Sequence, residues 1–150
     1  MPQALSKHFG EFEYDDAAVL TFPCGLPAFE GLKRFVLLER PSTAPVVFLQ
    51  SLDDGHVCLP AAPISAIRPD YELALSPDDA RTLRIADVSE IRRLACLAVV
   101  SIPETGPPTA NLLAPVVIDS SSRLGVQAVR SDARYSHRQA LSAHGEAVCS

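Results

Sequence analysis

Thr109-Ala110-Asn111-Leu112-Leu113-Ala114-Pro115-Val116-Val117-Ile118-Asp119 is apolar almost throughout, yet it carries a proline in mid-run. Proline has no backbone N–H. In a sheet it therefore belongs on an edge, at a bulge or at a strand start. Asn111, just ahead of the run, is a turn-type residue whose amide can satisfy nearby backbone groups. The stretch offers no candidate nucleophile, no histidine and no cluster of metal ligands. Such a segment predicts scaffold or a binding edge, in a β protein that holds another macromolecule.

Working outward, Leu94 to Ile102 is nearly continuous apolar sequence and predicts the central strand, broken by Pro103-Glu104-Thr105-Gly106-Pro107-Pro108. Val126 to Val129 follows as the last strand. Toward the N-terminus, Phe9 to Tyr14 alternates. Phe12 and Tyr14 fall on one face, and Glu11 and Glu13 on the other, as in a half-buried strand with an acidic outer face. Ala18 to Phe22, Arg34 to Leu38, Val46 to Leu52 and Tyr71 to Leu75 read as further strands. Asp53-Asp54-Gly55 is a hairpin turn that brings His56 to Leu59 back on the preceding strand. Ala28 to Leu32 suits one helical turn, and Pro60 to Pro69 reads as loop. Ser76-Pro77-Asp78-Asp79 starts a helix: Ser76 caps, Pro77 fits the first position and the acids face the positive dipole end. Asp87 to Arg93 predicts a second short helix. Strands at this spacing predict a mostly β fold: a small antiparallel barrel or sandwich, in one domain with two short helices.

The 150 residues are 47% hydrophobic, enough for one domain with a real core. No run approaches the roughly 18 apolar residues of a spanning helix. Met1 to Tyr14 lacks the apolar core of a signal peptide. A cytosolic protein with no membrane association is expected. Cys24, Cys58, Cys96 and Cys149 are scattered without a paired spacing. Reduced thiols are expected, with Cys58 and Cys96 as core filler rather than metal ligands.

Charge is uneven. Residues 1–80 carry 12 acidic and 5 basic side chains, and residues 81–150 carry 6 and 8, giving −7 and +2 within the net −5. An acidic front half argues against direct nucleic-acid binding, which needs clustered Lys and Arg. It suits a basic protein partner, and equally a solvated surface that aids solubility.

Catalytic signatures are missing from the sequence: no phosphate-binding glycine loop, nucleophile elbow or paired-histidine zinc motif occurs. His56 beside Asp53, Asp54 and Cys58 reads as a hairpin tip more readily than as a Cys–His or metal site. Neighbours on a strand point to opposite faces, so Ser136 and His137 cannot act there as nucleophile and base. The Asp15-Asp16, Asp53-Asp54 and Asp78-Asp79 pairs fall at turns or a helix start, where Asp satisfies local backbone groups. Leu26, Phe29 and Leu32 either cap the core or stand half-exposed for binding, and Ile64 and Ile67 carry the same two readings.

Several segments together resemble the bacterial flagellar assembly factor FliW family. They are Phe22-Pro23-Cys24-Gly25-Leu26-Pro27-Ala28-Phe29-Glu30, Phe48-Leu49-Gln50-Ser51-Leu52-Asp53-Asp54, Pro69-Asp70-Tyr71-Glu72, the opening stretch, and Gly125-Val126-Gln127 with Tyr135-Ser136-His137-Arg138. The match runs in order from about residue 8 to 141. Ala28 departs from the family, which usually has glycine there. The resemblance implies a β-barrel domain over residues 1–141 and leaves residues 142–150 as a disordered tail. It further implies a cytoplasmic protein without catalysis, metal or cofactor, acting as a single copy. The implied partners are flagellin and the RNA-binding translational repressor CsrA, whose repression of flagellin mRNA the family relieves. Phe29, Glu30, Gln50, Asp53, Asp54 and Asn111, motif positions near turns and strand ends, are the candidate partner-binding residues. The alternative is a small barrel unrelated to flagella that binds a peptide or small ligand.

Overall fold

The structure, a computed structural model, describes residues 2–141. Ten strands run in sequence order as β1 (Gln3–Ser6), β2 (Gly10–Glu13), β3 (Leu20–Thr21), β4 (Arg34–Glu39), β5 (Val47–Ser51), β6 (Cys58–Pro63), β7 (Leu94–Ser101), β8 (Thr109–Asp119), β9 (Leu124–Gln127) and β10 (Gln139–Ala140). Two short α-helices, α1 (Ile64–Ile67) and α2 (Pro77–Thr82), lie between β6 and β7. Seven strands close a barrel in the order β8-β7-β6-β5-β4-β3-β9, with β9 returning to β8. Every neighbour pair is antiparallel except β3 and β9, which meet in parallel at Thr21 and Leu124. Closure removes open sheet edges and decides for a barrel over a sandwich. β1 and β2 form a separate ribbon, and β10 extends the sheet beside β8.

Leu20, Phe22, Phe35, Leu49, Ala61, Leu97, Val116 and Ile118 converge in one core cluster inside the barrel. The rings of Phe22 and Phe35 meet edge to face at 5.2 Å. The opposite faces of β7 and β8 are covered as well. Ala98, Val100, Ala110 and Leu112 pack with Ile64, Ile67 and Tyr135, and Val117 packs with Leu83, Leu124 and Val126. Burial on both faces is why these two strands read as continuous apolar sequence.

Pro115 sits at a bulge. Leu97 pairs Val116 and Val99 pairs Asn111, so Ala98 alone stands opposite Leu112-Leu113-Ala114-Pro115. A four-residue excursion leaves a ladder's worth of backbone groups to satisfy, and each one finds a partner. The Leu112 N–H donates to the Ser136 carbonyl, and the Leu112 carbonyl accepts from the Tyr71 hydroxyl at 2.8 Å. Asn111 Oδ1 accepts from the N–H groups of Leu113 (3.0 Å) and Ala114 (3.1 Å). The Leu113 carbonyl accepts from Arg130 N–H, that of Ala114 from Gln127 Nε2, and that of Pro115 from Ala128 N–H. The one N–H the excursion cannot place is the one proline lacks.

Other expectations shift for stated reasons. Ala28 to Leu32 forms no helical turn. The backbone folds into a tight reversal in which Phe29 N–H donates to the Leu26 carbonyl, and Ala28 takes φ +71°. Pro60 to Pro69 is not loop but the end of β6 followed by α1. Pro60 lies where β6 pairs only β5, and Pro63 where it pairs only β7, so neither proline breaks a two-sided ladder. Tyr71 to Leu75 is extended but belongs to no strand. Its alternation arises because Tyr71, Leu73 and Leu75 pack on the barrel's outer clusters. The α2 start is as expected, with Ser76 Oγ accepting from Asp79 N–H at 3.1 Å, whereas Val88–Arg93 is a 3₁₀ helix. Among the described residues no helix is long and apolar enough to cross a membrane. The tail expected at 142–150 lies outside the described residues.

Candidate partner-binding surface

The β5–β6 hairpin tip organises one end of the barrel. Ser51 Oγ accepts from the N–H groups of Asp53 (3.0 Å) and Asp54 (2.9 Å), which closes the turn. Asp53 then reaches across the barrel rim. Its carboxylate accepts from Lys33 N–H (2.9 Å), Arg34 N–H (3.0 Å) and Arg34 Nε (3.1 Å). Burial alone would raise the Asp53 carboxyl. The Lys33 and Arg34 N–H bonds and the Arg34 guanidinium outweigh it and hold the group below its ordinary value of 3.8. Asp54 is lowered chiefly by the His56 N–H it accepts, with the exposed imidazole also beside it at 3.3 Å.

Two further segments attach to this tip. The β1–β2 ribbon docks where Lys7 N–H donates to the Gly55 carbonyl at 3.0 Å and Ser6 Oγ donates to Gln50 Oε1 at 2.7 Å. A Cβ on Gly55 would stand 2.4 Å from the Leu5 carbonyl oxygen, so only glycine fits under the ribbon. The Phe22–Lys33 loop is tied to the tip through Asp53. It presents Phe29, half-buried against the barrel core, and Glu30, exposed. Glu11 and Glu13 lie on the exposed ribbon face together with Leu5, opposite half-buried Phe12. Among the described residues Glu11, Glu13 and Glu30 have no ion-pair partner, nor do the exposed Lys7 and Lys33, so the acidic side chains outnumber the basic ones at this end but do not stand alone.

The structure sorts the six candidate residues. Phe29, Glu30 and Asp54 stand at the surface of this end. Asp53 is there too, but its oxygens are occupied in joining the tip to β4. Gln50 is fully buried: besides Ser6, its amide donates to the carbonyls of Ser51 and Val57 at 3.0 and 3.2 Å. It is a structural hydrogen-bonding group that anchors the ribbon. Asn111 lies away from the tip, capping the β8 excursion beside Ser101, Thr109, His137 and Arg138. The His56–Cys58 pair brings no reactive geometry: the imidazole faces Asp54, and burial pushes the Cys58 thiol up.

Asp53 makes acid sensitivity testable. A carboxyl whose folded pKa is depressed stabilises the fold above its unfolded pKa and loses that contribution as pH falls through the folded one. Asp53→Asn is therefore expected to be less stable than wild type at pH 7. The gap should narrow steadily below pH 3.8, as urea midpoints at pH 7, 4 and 3 would read.

A second assembly escapes sequence reading. Arg130 is buried, with Nε and Nη2 on the two Asp132 oxygens at 2.8 and 3.0 Å and Nη1 donating to the Glu72 carbonyl. Its guanidinium lies 4.8 Å from the Tyr135 ring centre and 5.4 Å from that of Tyr71. The hydrogen bond to Asp132 fixes its positive charge more firmly than in an ordinary arginine. Arg134 pairs with both oxygens of Glu72 at 3.0 and 3.2 Å, and Tyr135 Oη accepts from Glu72 N–H at 3.0 Å. Tyr71-Glu72 and Tyr135, taken from motifs far apart in the sequence, thus form one clasp over the β8 excursion. The signal lies in the two motifs, but only the fold joins them.

The chain is thus a closed seven-stranded β-barrel, one end of which joins a hairpin tip, a two-stranded ribbon and the Phe22–Lys33 loop. The FliW protein family model matches residues 3–141. The flagellar assembly factor FliW of Thermotoga neapolitana is 34% identical over 139 residues, covering 91% of each chain. That of an Azoarcus species is 39% identical over 130 residues, covering 83% of this chain and 88% of the relative. A crystal structure of the flagellar assembly factor FliW superposes with a TM-score of 0.82 at 26% identity, covering 95% of this chain and 99% of the other. The chain belongs to the FliW family.

Proposed function

We propose that this protein is a non-enzymatic flagellar assembly factor that acts in the cytoplasm by binding flagellin and CsrA. Binding CsrA relieves repression of flagellin mRNA. Flagellin competes for the same protein, so free flagellin feeds back on its own translation. Family membership across residues 3–141 supports this reading. The observation that carries the mechanism is that the ribbon bearing unpaired Glu11 and Glu13, the loop bearing unpaired Glu30 and the tip bearing exposed Asp54 are joined at one end of the barrel. Such a surface attracts a basic partner and, once docked, repels RNA phosphates from the neighbouring site. Phe29, half-buried on the core, supplies an apolar contact from the neighbouring loop. Asp53 and Gln50 hold the surface in shape.

The charge mechanism is tested by the combined variant Glu11→Gln, Glu13→Gln, Glu30→Gln and Asp54→Asn, which leaves Asp53 in place. Its affinity for CsrA should fall about tenfold or more at low salt, with a flatter salt dependence, as expected when rim charges are removed. Displacement of RNA from CsrA, followed by fluorescence anisotropy, should fall in step. RNA release at the wild-type level would eliminate the electrostatic mechanism.

A further inference from the structure

The register of β7 and β8 puts Ser101 opposite Thr109 and Val99 opposite Asn111. Residues directly opposite in an antiparallel pair share a face, as do residues two apart along a strand. All four side chains therefore lie on one side of this ladder. They floor a cavity of about 250 Å³ whose remaining wall is His137 and Arg138. That wall is anchored at both ends. The Ser136 carbonyl accepts from Leu112 N–H, and Gln139 pairs Ala110 in β10. Between them, Arg138 N–H donates to Ser136 Oγ at 2.9 Å.

Every polar side chain of the lining can donate a hydrogen bond, and the one fixed charge among them is positive. Asn111 Oδ1 is occupied by the N–H groups of Leu113 and Ala114, which fixes the amide and leaves Nδ2, a donor, as its free end. Among the described residues, Nδ2, the Ser101 and Thr109 hydroxyls and the Arg138 guanidinium have no acceptor. No carboxylate of the described residues lines the cavity, although the protein has 18 acidic side chains. One guanidinium, one amide and two hydroxyls on a rigid ladder match a planar monoanion with two oxygens. We propose that this cavity is a carboxylate-binding site that takes one carboxylate of an acidic peptide, from an Asp or Glu residue or from a free C-terminus. A polyanion is disfavoured by the net charge of −5 and the single guanidinium. The site is separate from the acidic hairpin end and stands whether or not the partners proposed there bind.

The test is an amide NMR titration of the ¹⁵N-labelled full-length protein. Four probes are used: a blocked pentapeptide with one glutamate, a pentapeptide whose sole carboxylate is its free C-terminus, a fully blocked uncharged version, and inorganic phosphate. Millimolar binding of at least one acid peptide is expected, with shifts centred on Ser101, Thr109, Asn111, His137 and Arg138. The uncharged peptide should leave them unmoved. The two acid probes distinguish a glutamate carboxylate from a terminal one. Asn111→Asp is the decisive variant. Its carboxylate still accepts from Leu113 and Ala114 N–H, so protection of those amides from exchange persists, but it puts a negative charge where the ligand sits. Affinity should fall more than tenfold in Asn111→Asp and at least fivefold in Arg138→Gln. Equal binding of the uncharged peptide, no response to either acid, tighter binding of phosphate, or wild-type affinity in Asn111→Asp would each overturn the proposal.

Discussion

Gly25→Ala is expected to destabilise the protein by about 3 kcal/mol, the sum of a left-handed backbone penalty and an overpacked contact. Gly25 sits at φ +67°, and a Cβ there would lie 2.5 Å from both the Cα and the carbonyl oxygen of Glu30. The obstacle is backbone, which does not swing aside as the end of a long side group does. Relief would require opening the reversal that buries Leu26 and seats Phe29 on the core. Partner binding should therefore weaken together with stability. Three residues on, the sign reverses. Ala28 already occupies φ +71° with a Cβ in place, so Ala28→Gly relieves strain and should gain about 0.5–1 kcal/mol after the glycine's extra backbone entropy is charged against it. Urea unfolding of both variants reads the pair. Shifts of the same sign would contradict the geometry of this loop.

Arg130→Ala is expected to cost about 3–4 kcal/mol, in the range for losing a large buried side chain and its hydrogen bonds. Removing it leaves the Glu72 carbonyl without its donor and uncovers the Tyr71–Tyr135 ring pair, whose centres lie 4.3 Å apart. The Tyr71 hydroxyl satisfies the Leu112 carbonyl and that of Tyr135 accepts from Glu72 N–H, so loosening the ring pair loosens the cover of the β8 excursion. Lysine should not rescue, because an ammonium cannot span both Asp132 oxygens or stack flat on a ring. Arg134→Ala, on the exposed side of the clasp, should change the urea midpoint far less. Hydrogen exchange at Leu112 and Ala128 provides a local readout, since these amides should lose protection in Arg130→Ala before the barrel amides do.

The barrel is largely legible in the sequence because its strands carry period-two burial or two-sided apolar runs. Pro115 is informative from its residue type alone, since the missing N–H restricts it to a few places, one of which is the bulge it occupies. Tyr71 to Leu75 shows the limit of that logic. Alternation reports which face is covered, not whether a ladder runs alongside. Pro60 and Pro63 show the converse, since prolines within β6 are harmless only because its two neighbours overlap at a single residue, Ala61, and register is a tertiary fact. The short reversal at Ala28 reads as helix because a non-glycine residue at positive φ leaves no local trace.

The candidate surface is legible in part. Motif positions and turn chemistry pick out the hairpin tip and the Phe29–Glu30 loop. They do not separate the residues that face outward from those that hold the tip together. Gln50 and Asp53 have polar side groups whose partners, Ser6 and Lys33–Arg34, lie far away in the sequence. The Arg130 clasp is invisible for the same reason, because its value lies in bringing residues 71–72 and 130–135 together.

Isothermal titration of the full-length protein against purified flagellin and against purified CsrA is the most direct test of a partner-binding role. Saturable binding to each, with flagellin displacing CsrA, is the predicted result. Heats no larger than dilution for both proteins, from a preparation whose barrel is shown to be folded, would contradict it.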